Sequence, residues 1–296
     1  MSVAAEANAR SLALAAMPAV FVFLWSTGFI GAKFGLPYAE PLTFLALRFA
    51  IVLGLLLALI AATGAPWPRD PRQIAHIAVA GLLVHATYLG GVFASISQGV
   101  DAGVSALIVG VQPVLTAMLA GPLLGERVTA RQWTGLALGT AGVGLVVWRK
   151  LGLGEGAPFG MALSVVGLVG IAAGTLYQKR FCAGMDLRTG SLVQFAASLA
   201  LLAPLALLLE TNEVRWTGEF IFAMFWMTLV MSLGAITLLM LLIRRGEASR
   251  VASLFFLVPP TTALIAWPLF GETLGPIALL GMALAAVGVA LVNLRR

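Results

Sequence analysis

Residues 101–148 read DAGVSALIVGVQPVLTAMLAGPLLGERVTARQWTGLALGTAGVGLVVW, and the chain writes this stretch a second time. Moved forward by 146 positions, it falls on residues 247–294 without a gap, roughly a third of the positions being identical. Pro113 lands on Pro259, Thr116 on Thr262, Pro122 on Pro268, and Gly125-Glu126 on Gly271-Glu272. Gly135 meets Gly281, Gly142 meets Gly288, and Leu145-Val146 meets Leu291-Val292. This period is too long for a solenoid. In a membrane protein it is the internal symmetry from which transporters are built.

Composition decides that condition. Of 296 residues, 60% are hydrophobic and 10% charged, against about 25% charged in soluble domains. Buried cores cannot absorb that excess, so most apolar surface must face lipid. A single cysteine, Cys182, excludes an internal disulfide framework. The net charge of +6 does not point to nucleic acid, because the bases sit in short loops between apolar runs. The first run, with Arg10 before it, loosely mimics a signal peptide. It stays apolar to Ile30, too long for a signal core, and is expected to be an uncleaved span.

Ten runs are long enough to cross a bilayer as helices: 11–33, 42–62, 74–97, 102–123, 131–148, 158–178, 189–209, 217–243, 249–270 and 275–294. The expected fold is therefore an all-α integral membrane protein of ten helices, in two five-helix repeats at 1–148 and 158–296. Connections are short and rich in Pro and Gly, leaving no room for a soluble domain. With the N-terminus inside, thirteen of the eighteen Lys and Arg residues fall on the inner side, so both termini are expected in the cytoplasm. Arg149-Lys150 is the awkward outer loop. Five spans per half is an odd number, so the second half enters inverted, and inverted halves can rock about a midplane site. Pro113 and Pro259 lie about ten residues into their spans, where a proline kinks a helix and frees a carbonyl. They are candidate hinges, with a plain packing kink as the alternative.

At these residues the chain resembles the EamA-type transporters of the drug/metabolite transporter superfamily. The run Pro113, Pro122, Gly125-Glu126, Gly135 and Gly142, with its copy at Pro259, Pro268 and Gly271-Glu272, is similar to that family's signature. Trp25-Ser26-Thr27-Gly28-Phe29-Ile30-Gly31-Ala32-Lys33 resembles its first-helix motif, Arg48-Phe49 its second-helix pair, and Tyr177 to Arg180, loosely, its sixth-helix ending. The resemblance covers nearly the whole chain. It implies small-molecule export, and among the branches the chain looks most like the aromatic amino acid exporters.

The residues limit the chemistry further. No G-x-x-x-x-G-K-[ST] loop is present, which argues against ATP-driven transport. Every acidic residue falls in a loop or near a span end, which counts against a cationic-drug antiporter that alternates proton and cation on a buried carboxylate. His85 lies near the midplane of the third span, with Tyr88 one turn on. It is read as a cavity residue and proton carrier, or as a neutral histidine bonded to a neighbouring helix. His76 is expected to be an interfacial anchor. Lys33 and Arg48, near the outer ends of the first two spans, either snorkel to headgroups or meet a carboxylate in an outer vestibule. Trp25 and Tyr88 are too deep for an interfacial belt, and with Tyr177 and His85 they are the candidate substrate-binding residues. Trp226 and Trp267 could equally face lipid. Gly31-x3-Gly35, Gly135-x3-Gly139 and Gly170-x3-Gly174 read as helix packing.

The expectation is a secondary exporter of hydrophobic or aromatic amino acids and related metabolites, working by alternating access down the cargo gradient. It requires a lipid bilayer and a small-molecule substrate, but no metal, cofactor or nucleic acid. Its oligomeric state is open, a monomer being compatible. The rival readings are a multidrug or proton-coupled exporter, and an integral membrane enzyme, for which no span offers paired carboxylates.

Overall fold

The computed structural model describes residues 3–100, 105, 108–147, 157–270 and 275–294. Asp101, Trp148, Arg149-Lys150, Gly271-Glu272 and the side chain of Lys33, all of which figure in the sequence reading, lie outside the described residues. Apolar runs that must satisfy their own backbone groups become helices. In chain order these are α1 (Val3–Gly35), α2 (Pro41–Thr63), α3 (Pro71–Ser97), α4 (Gln112–Leu124), α5 (Ala130–Val147), α6 (Ala157–Phe181), α7 (Leu187–Leu209), α8 (Gly218–Arg245), α9 and α10 (Pro276–Asn293). Helix α9 is Ala248–Ser253 joined to Val258–Phe270 through a 3-10 turn, Leu254–Leu257. Among the described residues, α2, α3 and α6 to α10 are long and apolar enough to cross a membrane. Shorter apolar helices are Ala16–Ala32 within α1, and α4. The outward faces carry exposed apolar side chains, such as Phe159, Val165, Val166 and Val169 on α6, as a lipid-facing surface requires.

Local chemistry explains the ends. Pro41, Pro71 and Pro276 sit in first turns, where a missing N–H costs nothing. Asp70 accepts from the amide of Arg72, Asp186 from those of Arg188 and Thr189, and Thr217 from that of Phe220. Gly64 and Gly125 close α2 and α4 with φ of 61° and 70°, a conformation that favours glycine.

Two spans depart from the uniform α-helix expected. Leu82–Thr87 in α3 and Trp226–Ala235 in α8 are π-helical. Shifting 82–87 by the repeat period gives 228–233, inside the second π segment. The prolines also differ from expectation. Pro113 occupies the first turn of α4, after a break in which Val111 N–H donates to Ile108 C=O at 3.2 Å. Pro259 is the second residue of its segment, directly after the 3-10 turn. The two breaks, 108–111 and 254–257, are again one repeat apart. Each chain breaks first and the proline starts the next helix, so neither proline kinks a continuous one.

Repeat-related helices pack on each other. In the α5–α10 seam, a Cβ on Gly288 would stand 2.6 Å from both the Gly135 carbonyl and the Gly139 amide nitrogen. A Cβ on Gly142 would stand 2.6 Å from the Gly281 carbonyl. Phe49 of α2 meets Phe195 of α7, its repeat mate, edge to face at 5.2 Å. Gly170 and Gly174 bring α6 against the π segment of α3, and Gly31 and Gly35 receive Met227 and Phe44. All three glycine pairs thus serve close packing. Ser164 hydrogen-bonds Ser95 and Ser105 at 2.7 and 2.8 Å, donating to one hydroxyl and accepting from the other in a buried cluster.

The bundle has two chemically distinct ends. At the basic end Glu126 takes Lys179 at 2.8 Å and the Ala248 amide at 2.9 Å, while Arg244 donates to the Met185 carbonyl. At the acidic end Glu210 accepts from the Leu42 and Thr43 amides at 2.8 and 2.7 Å, capping α2 from another helix. Glu40 returns the exchange, accepting from the Thr211 amide and hydroxyl, each at 2.6 Å. An isolated bridge, Ala39 to Val214, joins the same two turns. Hydroxyl donation by Thr211 holds the Glu40 carboxyl below its ordinary value of 4.5. A depressed carboxylate stabilises the fold above its unfolded pKa and loses that contribution as pH falls through its folded one. Melting in detergent is therefore expected to show a small loss below about pH 4.5 that Glu40→Gln removes.

Candidate substrate cleft

Between α1, α2, α3 and α8 lies a narrow cleft. It runs from Trp25 and Tyr88 to Ala32 and Ile96 near the acidic end. Trp25 and Tyr88 stack at 6.3 Å with their planes 13° apart, and each is 3% exposed. Phe21 and Phe255 also pack against the indole, each at 5.2 Å, and lie 5.5 Å from one another. The remaining wall is apolar: Gly28, Leu89, Val92, Phe93, Met227, Met231 and Ile236. A Cβ on Gly28 would fall 2.7 Å from the Met231 methyl, the mobile end of a flexible side chain.

Arg48 is the one charged side chain on this wall. It is 1% exposed, and its Nε donates to Ser232 Oγ at 2.9 Å. Ser232 in turn donates to the Met227 carbonyl five residues back, at 3.1 Å, inside the π segment of α8. A π turn brings a residue to a face that a regular helix would turn elsewhere. The sequence reading set Arg48 at a vestibule or headgroup; its guanidinium instead lies inside the bundle.

The other sequence candidates divide. Trp25 and Tyr88 come together as expected. His85, three residues before Tyr88, is fully buried but off the cleft wall: its ring stacks on Phe195 at 4.2 Å and meets Phe49 edge-on at 6.1 Å. Neither of its ring nitrogens makes a close hydrogen bond, and the Gln194 side chain of α7 is its polar neighbour. Tyr177 is at the basic end, where its hydroxyl bonds His76 Nδ1 at 2.7 Å. Trp226 is held by Thr27, to which its indole N–H donates at 2.9 Å, whereas Trp267 is largely exposed.

Sequence reasoning missed Ser232, Met227 and Met231. The repeat offers a signal for one of them, since Met231 is the mate of His85. It also pairs Arg48 with Gln194, which donates to Gln178 at 2.6 Å in the buried interior. Among the described residues no cluster of His, Cys, Asp and Glu could hold a metal.

Comparison with known proteins fits this geometry. The EamA-like transporter family matches residues 12–148 and again 158–294. An uncharacterized inner membrane transporter of Escherichia coli K12, YedA, is 27% identical over 92% of this chain and 87% of its own. A probable amino-acid metabolite efflux pump of the same strain is 26% identical, over 90% of each chain. A probable terminal-alkyne amino-acid exporter of Streptantibioticus cattleyicolor is also 26% identical, over 93% of this chain and 91% of that one. A solved crystal structure shares the fold with a TM-score of 0.79 at 20% identity, covering 94% and 95% of the two chains. Two matches that together span nearly the whole sequence settle membership: the chain belongs to the EamA-like transporter family.

Proposed function

We propose that this transporter exports small hydrophobic or aromatic amino acids and related metabolites across the inner membrane, by alternating access and down the cargo's own gradient. Its ten spans form two inverted five-helix halves, residues 1–148 and 158–296, with both termini in the cytoplasm. The stacked Trp25–Tyr88 pair in an otherwise apolar cleft carries the cargo assignment, since flat π surfaces favour planar or apolar bodies. The names of the amino-acid efflux relatives support it. Seams between repeat mates, Gly135 against Gly288 and Phe49 against Phe195, support the inverted arrangement. The Glu126 clasp at the basic end supports a resting state closed on the cytoplasmic side. The breaks before Pro113 and Pro259 are the proposed hinges.

The test is exchange of labelled phenylalanine, tryptophan and threonine in proteoliposomes of the purified protein, with and without a pH gradient. Saturable exchange that needs no pH gradient is expected. Trp25→Ala should raise KM about 10-fold. Efflux of ethidium with no exchange of any amino acid would remove the cargo assignment. His85, buried at the core beside the Gln194 side chain, motivates a second variant in which protons are exchanged. Accumulation only under a pH gradient, abolished by His85→Gln, would establish that variant instead.

A further inference from the structure

Arg48 poses a problem that the rest of the bundle does not solve. Its Nε is satisfied by Ser232, but its Nη1 is buried without a partner. A guanidinium stays charged at neutral pH, so burial is not relieved by losing the proton. A buried cation is tolerable when an anion completes it. Among the described residues no such anion stands on the cleft wall. The acidic side chains among the described residues are engaged at the bundle ends: Glu40 with Thr211, Glu210 with the start of α2, Glu126 with Lys179, Asp186 with Arg188, Glu247 with Arg250. Asp70, Glu213 and Glu219 stand in connections or first turns.

The unpaired guanidinium faces the cleft beside Trp25 and Tyr88. We propose that Arg48 is the carboxylate receptor of this cleft, so that the cargo is recognised as an apolar or aromatic carboxylate whose amino group is dispensable. This rests on the cleft being the cargo site. Planar, multi-donor guanidinium matches a carboxylate, and Ser232 fixes its orientation through Nε, leaving Nη1 for the ligand. The stacked rings take the apolar body. The lining supplies no carboxylate for an ammonium group, which would be left to the π faces or to water. Free amino acids are therefore one subset of the cargo, and their N-acylated or deaminated counterparts are another.

The experiment is competition against labelled 3-phenylpropanoate bound to the purified protein. Competitors are phenylalanine, N-acetylphenylalanine, phenylalaninamide and 2-phenylethylamine. The three carboxylates are expected to bind about 10- to 100-fold more tightly than the amide and the amine, N-acetylphenylalanine matching phenylalanine within a few-fold. Arg48→Gln should abolish that preference and Arg48→Lys retain part of it. Equal competition by amide and acid in the unaltered protein would overturn the proposal, as would no binding of the labelled acid. This arm decides even if the variants fail to fold. Transport of phenylalaninamide as readily as phenylalanine would refute the carboxylate receptor while leaving the amino acid reading intact. Acid-selective binding without transport of any amino acid would do the reverse.

Discussion

Gly288→Leu is expected to cost the protein about 3 kcal/mol of stability, the upper end of ordinary overpacking. Most overpacked sites relax because a flexible side chain moves aside. Here a Cβ alone would stand 2.6 Å from the Gly135 carbonyl oxygen and 2.6 Å from the Gly139 nitrogen, both backbone atoms of α5. Relief requires α5 and α10 to separate along their length. Helices in lipid have no hydrophobic drive to stay together, so close backbone approach is itself much of what joins them. Gly144, on the facing helix α5, is the control: nothing lies within 4 Å of its added Cβ, and Gly144→Ala should leave the melting temperature in detergent unchanged. Equal melting of Gly288→Leu and the parent protein would mean the seam does not hold the halves.

The second large effect is at the basic end. Glu126 accepts from Lys179 at 2.8 Å, from the Ala248 amide at 2.9 Å, and more weakly from Ser249 at 3.4 Å. One carboxylate thus ties α6 and the N-terminus of α9 to the end of α4. Charge-assisted hydrogen bonds contribute about 1.5–3 kcal/mol each, and a carboxylate at a helix N-terminus adds some tenths more. If Glu126→Gln removes about 2 kcal/mol from the closed state alone, the population open at this end rises about 30-fold. Cys182 is a built-in reporter. It is the only cysteine and is buried just beyond α6, and burial pushes its thiol up to about 11, partly offset by Arg244. Maleimides attack the thiolate, so labelling of the parent near pH 7.5 should be slow. In Glu126→Gln it should be at least about 10-fold faster, with water reaching the thiol. An unchanged rate would show that the clasp does not hold this end closed.

Much of this architecture was legible in the sequence, because lipid makes strong demands on it. Every exposed backbone group must be satisfied within its helix, so apolar run lengths located the helices, α2 at Pro41–Thr63 against an expected 42–62. Three small-x3-small glycine pairs were read as helix packing and do pack closely, but their partners came only with the fold. Trp25 and Tyr88 were singled out by depth alone, and the fold stacks them on one cleft wall. What escaped was set by helical phase. A π turn has no composition of its own, and one extra residue rotates everything after it. Through such a turn Ser232 comes to face Arg48, and His85 lies against Phe195 instead of on the cleft wall. Arg48 was misplaced for a related reason. Counting residues from a span end gives depth, but snorkelling and burial look alike until neighbouring helices are in place. Tyr177 was placed toward the inner end of its span, and the fold shows it bonded there to His76.

The α5–α10 seam bears on the origin of the single chain. Gly135 meets the mate of Gly142, and Gly142 meets the mate of Gly135, so the contact is of the self-complementary kind that two identical subunits make about a two-fold axis. One half alone would carry both members of each pair and could dimerise with its own copy. Such a dimer, however, must write every residue twice. It would bury two copies of Arg48 and two of His85, where this chain has Gln194 and Met231 in the second positions. Within one polypeptide the two sides of the axis are free to differ, and at this position the chain buries one cation where such a dimer would bury two.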